Sequence, residues 1–500
     1  MKRYYLLLLA TLFPLCVLGQ NSATMESYLR ARPILDKAVA AYGGAQALRA
    51  IENVTFRLEG DTVHRNQSMK PFAFDRTPFK AEYIIDAKNT RYRQQQEGHY
   101  PGGFHWVNGF VINKTEGVTW DNLRNWFNAV PSVPAPNFRG RLRTFPHFVV
   151  LNALERSSRL RYLGPATLDG RAHTAISYAN EDGLEISLYI DDKTGLLSKH
   201  EFMTTDPYLG DAVIETIFTG YKEENGRIVP GGRLDRRSGE LMNDLEFAEV
   251  KFNASLTDDN FKIPTGFTAA ATAPPAQPYV KYSENVYTVN ASGYNVLAVG
   301  FKDHVFVMEA PIGDGASRQA IAEIKKLFPG KPIKYIAVSH HHDDHAGGIR
   351  AYVAEGSTLI GLPGEKAFFE KVVKAKFTID PDALTLNPRP LKLETIAEGK
   401  RIHTDGTATV ELIDIGPGGH ADEMLVAYLP NEKLVFQGDL LNRPANNAPA
   451  TINDSTVHFS EWITRSGLAI ERIIGVHGPP STLEELRRGF SEHRSTSARK

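Results

Sequence analysis

The run Ser339-His340-His341-His342-Asp343-Asp344-His345-Ala346-Gly347-Gly348 constrains this chain more than any other stretch. It places four histidines and two aspartates in six consecutive residues. Read as His-x-His-x-Asp-His, it is a ligand set for two adjacent metal ions. Neutral imidazoles and a carboxylate are the donors that a borderline divalent cation such as zinc accepts. The apolar stretch 335–338 before it reads as a strand. Extended backbone alternates its side chains, so His340 and His342 point one way and His341 the other. His341 is therefore set aside as a ligand and is expected beside the site or facing solvent. Asp344 and His345 are adjacent in a turning segment, placed for a second metal. Gly347 and Gly348 let the backbone turn tightly into the next helix.

A histidine cluster alone can be a surface metal-scavenging tract, and the rest of the C-terminal half argues against that here. His420 follows an apolar strand at 407–415 and the turn Gly416-Pro417-Gly418-Gly419. Asp439 follows the strand 434–437 and Gly438, and His477 follows the strand 473–476 and precedes Gly478-Pro479-Pro480. Taken singly, these are a loop histidine, a turn aspartate and a core histidine. Each nevertheless lies just past the end of an apolar strand, where α/β folds gather their sites. Together with the run at 340–345 they predict a dinuclear metal site. Two metals held close together generate hydroxide at neutral pH and grip the oxygens of a scissile bond, so metal-dependent hydrolysis is the leading reading.

At 500 residues the chain is too long for one ordinary core. The formal net charge of -1 gives no bulk electrostatic reason to expect nucleic acid or an anionic membrane as partner, which leaves a small-molecule substrate. Residues 1–19 read as an export signal: Lys2 and Arg3, then an apolar run from Leu6 to Leu18 interrupted by Pro14, then Gly19 before Gln20. The run falls short of the roughly 20 residues of a spanning helix, and no later segment is long and apolar enough to span. Cys16, the only cysteine, lies inside this signal. Phe13-Pro14-Leu15 is a poor match to the small residues that precede a lipidated cysteine, so no lipid anchor is expected. Removal of the signal leaves no thiol for a disulfide or a metal. The expected location is the periplasm or the cell exterior. Oligomeric state is left open.

Residues 20–50 read as helical, with Ile34, Ala38 and Tyr42 on one face and Gly43-Gly44 as a stop. Residues 51–266 read as an antiparallel, curled β-rich domain. Val54, Phe56 and Leu58 alternate with polar residues, as do Phe79, Ala81, Tyr83 and Ile85, and Ile186, Leu188 and Ile190. Its histidines His64, His99, His105, His147, His173 and His200 are scattered without ligand spacing. An Ala/Pro-rich stretch at 267–283 is the linker candidate. From 284 to 490 short strands alternate with helices near 316–328, 346–355 and 364–375, the texture of a layered α/β domain. The tail 491–500 is polar and expected to fray.

On these motifs residues 285–480 resemble the metallo-β-lactamase superfamily. The resemblance implies an αββα sandwich with its metal site at one edge of two sheets. It implies that His340, His342 and His420 hold one metal, that Asp344, His345 and His477 hold a second, and that Asp439 bridges them. Two divalent ions are implied, zinc first, with iron or manganese as the other fits. Ser339 stands where threonine is common, and Met308-Glu309-Ala310-Pro311 where the family often has an aspartate-containing turn. The β-rich region, through 186–252, resembles the curled sheet of outer-membrane lipoprotein carriers. That implies a fold, with a hydrophobic concavity for an acyl chain or a plain scaffold role.

The expected activity is cleavage of an ester-like bond (thioester, lactone, phosphodiester or similar) by a metal-bridging hydroxide, with Asp344 orienting the nucleophile. Asp439 resembles the bridging aspartate of thioesterase-, lactonase- and phosphodiesterase-like members. β-Lactamases of the superfamily usually carry cysteine or serine there, which disfavours antibiotic hydrolysis. His342 argues against the flavin-coupled di-iron relatives, which tend to carry glutamate there. A mononuclear iron enzyme acting on a thiol or persulfide, and a lipid-carrier-like binding protein with a structural metal site, are the alternatives. The region 363–400, with Phe368, Phe369 and Phe377, and the loop 442–447 are expected to border the pocket. The phenylalanines are weighed toward core packing, and Arg443 toward a solvated loop charge.

Overall fold

The computed structural model describes residues 22–101, 105–122, 125–130, 132–133, 135–269, 277–443 and 452–497. The expected signal at 1–19 lies outside them. The first helix, Ala23–Ala41, opens where the Ser22 hydroxyl accepts the Met25 N–H, and it buries Ala31, Leu35, Ala38 and Val39 along one face. It ends at Gly43 and Gly44, both at positive φ.

The alternating segments that follow form a fourteen-stranded sheet. Strand Asn53–His64 lies at its middle, paired antiparallel with Asp75–Asp86 on one side and Glu240–Phe252 on the other. Val54, Phe56 and Leu58 are buried, as their spacing predicts. The Phe56 ring packs on Tyr83, Phe145 and Phe247 with centroids 4.8, 5.2 and 5.4 Å away. The β-rich, antiparallel reading of 51–266 holds, and the region also contains helices. Two helices, Ala135–Leu142 and Pro146–Glu155, interrupt it. Pro146, His147, Phe148, Val149, Val150 and Ala153 are all buried, so the second helix is covered on most sides and lacks a polar stripe. Its Phe-Val-Val sequence also favours strand. This helix and Ala23–Ala41 pack on the sheet in one apolar cluster that includes Leu35, Phe148, Leu58, Ile85 and Leu188. The apolar face on which an acyl chain could lie is thus covered by the chain's own helices.

The C-terminal half contains two facing sheets of seven and six strands. Leu297, Val299, Phe306 and Met308 from one sheet meet Val410, Leu412, Leu425 and Phe436 from the other in a fully buried layer. Helices Asp314–Leu327, Ile349–Glu355 and Lys366–Lys374 cover the outer face of the first sheet. Helices Asp454–Ser466 and Leu483–Ser497 cover that of the second. This is the αββα arrangement that the resemblance implied. Both ends of the stretch read as a linker are strands: Thr268–Ala269 pairs with Trp126–Val130, and Tyr279–Lys281 forms an edge of the seven-stranded sheet. Its alanines and prolines at 270–276 lie outside the described residues. The last helix, Leu483–Ser497, buries Leu486 in the cluster beneath the second sheet, with Phe490 packed beside it.

The two halves are docked directly. Asp211 N–H donates to Lys376 O at 2.7 Å, and the Asp211 carboxylate accepts the Thr378 and Ile379 N–H groups at 2.8 and 3.0 Å. Gly210, at φ 72°, makes this approach possible, since a Cβ there would lie 2.0 Å from Lys376 O. No helix among the described residues is long and apolar enough to cross a membrane.

Two histidines of the β-rich half are buried and held neutral. Burial, then Arg227, pushes His147 down to about 3. Burial pushes His200 down to about 4, against its contact with the Arg143 carbonyl. In the unfolded chain both protonate near the ordinary value of about 6.5. Below that pH the unfolded state binds more protons, so stability falls as pH falls, by up to about 1.4 kcal/mol per pH unit for each histidine. Urea unfolding at several pH values should show this slope between about pH 6 and 4, and His147→Phe should make it shallower.

Candidate metal centre

The strand Ile333–Ala337 delivers Val338, Ser339 and His340 to the edge of the sandwich, and the short helix Asp343–Ala346 begins just after His342. His340, His342 and His345 are buried. His420, Asp439 and His477 arrive from the ends of separate strands of the six-stranded sheet, as the strand-end pattern predicts. The chain brings these seven residues together as two groups. His340, His342 and His420 form one, and Asp344, His345, Asp439 and His477 the other. In each group the donor atoms all lie within 4.8 Å of one another. Nε2 of His340 and of His420 are 3.1 Å apart. Tetrahedral zinc at its usual bond lengths sets two ligand nitrogens about 3.3 Å apart. Asp439 stands between the groups. Its Oδ2 is 3.3 Å from His420 Nε2 and 3.3 Å from His345 Nε2, and its Oδ1 is 3.1 Å from His477 Nε2.

The hydrogen bonds behind these atoms decide which nitrogens face inward. His342 Nε2 donates to the carbonyl of Ser68 at 2.9 Å, and a carbonyl can only accept. In the neutral ring, Nδ1 therefore carries the lone pair. His345 Nδ1 donates to Glu309 Oε2 at 2.9 Å, and His340 Nδ1 lies 2.9 Å from the Ser339 hydroxyl. Inside the cluster, His342 Nδ1 is buried without a partner, and His345 Nε2 and Asp439 Oδ1 face only other members of the cluster. Orphaned buried donors and acceptors are costly, and one cation in each group would satisfy these atoms.

Charge points the same way. Burial, then the neighbouring imidazoles, drives His340 and His342 well below the usual histidine range, which keeps them neutral as ligands must be. Burial opposes charge on His345, but Asp344, Asp439 and Glu309 outweigh it and raise this imidazole well above its ordinary value. His477 is pushed up to about 9, against burial, by Asp439 and Asp344. The second group is thus an anionic pocket whose carboxylates demand positive charge, a demand that a divalent cation also meets.

Glu309 is the residue that sequence reasoning undervalued. It is fully buried, and its carboxylate accepts Ser339 N–H at 2.9 Å as well as the His345 proton. Its φ of 88° is rare for a side chain other than glycine. A charge just past the apolar strand Val305–Met308 was the available signal. His341 is not solvent-facing. It is buried, with its ring 5.7 Å from that of Phe368 and 4.8 Å from that of His342, and it belongs to neither group. Phe368, Phe369 and Phe377 are buried, in keeping with core packing. Arg443 is not a solvated charge either, since it bonds Pro480 O at 2.8 Å and pairs with Glu485 at 2.9 Å. The rest of that loop, from Pro444 to Asn447, lies outside the described residues.

Residues 294–462 match the family model of the metallo-β-lactamase superfamily. The C-terminal domain is a metallo-β-lactamase-superfamily domain. Similar solved structures include a metallo-β-lactamase from Pontibacter korlensis, 20% identical, covering 43% of this chain and 96% of its own, with a TM-score of 0.31. The metallo-β-lactamase FIM-1 from Pseudomonas aeruginosa, in its mono-zinc form, is 21% identical over 45% of this chain and 98% of its own, at 0.32. A metallo-β-lactamase from Hirschia baltica is 18% identical over 42% and 94%, at 0.33. No curated protein matches the chain. The superfamily fold with this His/Asp cluster is suited to divalent metal binding and hydrolysis.

Two substitutions probe the support of the cluster. Glu309→Ala strands a buried imidazole proton and a backbone N–H, and should cost about 3 kcal/mol in urea unfolding of the metal-free chain. In Gly438→Ala the new Cβ would lie 2.4 Å from Ser339 Oγ and 3.2 Å from His340 Nδ1. That crowding should cost about 1–3 kcal/mol and lower the metal content measured by elemental analysis.

Proposed function

We propose that this chain is an exported metal-dependent hydrolase with a dinuclear zinc site that cleaves an ester-like bond in a small molecule. The observation that carries this reading is the position of Asp439, whose Oδ2 is 3.3 Å from a nitrogen of each ligand group. His340, His342 and His420 would hold one ion, and Asp344, His345 and His477 the other, with Asp439 shared. With Asp439 shared, each ion would have four protein ligands, and a water would have to add as a fifth, an expansion that catalytic zinc can make. Bound there, the metals supply Lewis acidity and a water acidified toward about pH 7.

The side chains of the protein do the rest. Asp344 accepts a hydrogen bond from the attacking water and orients it toward the scissile centre. His345 Nε2 and His477 Nε2 lie within 3.5 Å of Asp344 Oδ2, so an ion held by these three atoms would fix that carboxylate. Burial of the cluster strengthens each of these interactions over its value in water. The carboxylate at 439, in place of cysteine or serine, supports thioesters, lactones and phosphodiesters over cephalosporins. The apolar run at 6–18 supports export.

Elemental analysis of the purified chain should find about two zinc ions per molecule. His342→Ala and Asp439→Ala should each remove most of the metal. Their loss of activity should exceed the roughly 10–100-fold typical of residues that merely support a ligand. The activity is read on a panel of p-nitrophenyl phosphodiesters, thioesters, lactones and cephalosporins. Full activity of both variants with unchanged metal content would sink the assignment. One iron per chain with oxygen uptake would point instead to thiol oxidation.

A further inference from the structure

The turn between strands Asn53–His64 and Asp75–Asp86 belongs to the β-rich half, yet it ends against the metal cluster. The Gln67 side-chain amide nitrogen has two hydrogens. One goes to Asp343 Oδ1 at 3.0 Å and the other to Asp344 Oδ1 at 2.9 Å. Asn66 Nδ2 donates to the remaining Asp343 oxygen, Oδ2, at 2.8 Å. With Oδ1 engaged, Asp344 presents Oδ2 to His477 Nε2 and His345 Nε2, 3.2 and 3.5 Å away. The next residue, Ser68, supplies the carbonyl that takes the His342 Nε2 proton. Three consecutive residues thus offer two amide donors to two carboxylates and one acceptor to an imidazole.

The turn is fixed at both ends. Ser68 Oγ donates to His64 O, and Met69 N–H donates to Asp75 Oδ2 at 2.8 Å. On the other side, Asp422 N–H donates to Met69 O at 2.9 Å, and Lys70 pairs with the Asp422 carboxylate at 3.0 Å. Asp422 lies two residues beyond His420. Arg65, nearly buried, pairs with Asp206 at 2.7 Å, and from that same corner Tyr208 donates its hydroxyl proton to His341 O at 2.6 Å. The β-rich half therefore touches His341, His342, Asp343 and Asp344 in succession.

We propose that Asn66, Gln67 and Ser68 are positioning residues of the metal centre, which aim Asp344 Oδ2 and His342 Nδ1 at the ions. This rests on the ligand assignment proposed above. The β-rich half is then part of the site and not only a scaffold beside it. Outer partners of this kind are typically worth 10–100-fold in metal affinity or activity.

The test uses the full-length chain with cobalt(II) as the probe metal. Gln67→Met keeps the length of the side chain and removes both donors. It should weaken binding of one cobalt ion by about 10–100-fold in equilibrium dialysis and change the visible absorption of the cobalt form. Melting of the metal-free variant checks that it folds. If it does not, Gln67→Ala, which also lacks the donors and adds no charge, is read by the same two measurements. Wild-type cobalt affinity together with an unchanged spectrum in the folded variant overturns the proposal. A wild-type chain that takes up no cobalt overturns the ligand assignment itself, a different result from a defect confined to the variant.

Discussion

Five imidazoles and two carboxylates converge in a largely buried space, and the rest of the structure answers to the cost of holding them there. Unpaired buried charge is expensive, and so are buried nitrogens without partners. The sandwich meets that cost with a ring of fixed partners. Glu309 holds His345 and the Ser339 backbone, the Ser339 hydroxyl backs His340, and the Ser68 carbonyl backs His342. Each outward partner selects the nitrogen that faces inward. Within the cluster, what remains unsatisfied is the inner surface, where cations resolve the imbalance.

The seven clustered residues were readable in the sequence because strand ends are. They follow short apolar runs, and the two facing sheets bring these strand ends to a common edge whatever their separation along the chain. The layered α/β fold followed from the same alternation of short strands and helices. The first helix and the central strands of the β-rich half were equally plain, since one face of each is apolar at regular spacing.

Other parts had no such signal. Helix Pro146–Glu155 is buried on most sides, so its sequence shows no period to read. Asn66 and Gln67 look like ordinary turn residues, and their partners lie 277 positions further on. Only the pairing of whole domains brings them together, and no local pattern encodes that. Glu309 falls between these cases. Its place after a strand was visible, while its role depended on the imidazole brought to it by the helix Asp343–Ala346.

The contact at Gly210 reaches beyond this one molecule. The carbonyl of Lys376 occupies the space that a Cβ would need, so the position admits no side chain while the halves stay docked. A related chain with any other residue there must either part its strands at that point or seat its β-rich half differently. Glycine at 210 can therefore serve as a marker when sequences are sorted. It separates chains able to bring a turn like 65–74 to the histidine cluster from those whose two halves have drifted into another arrangement.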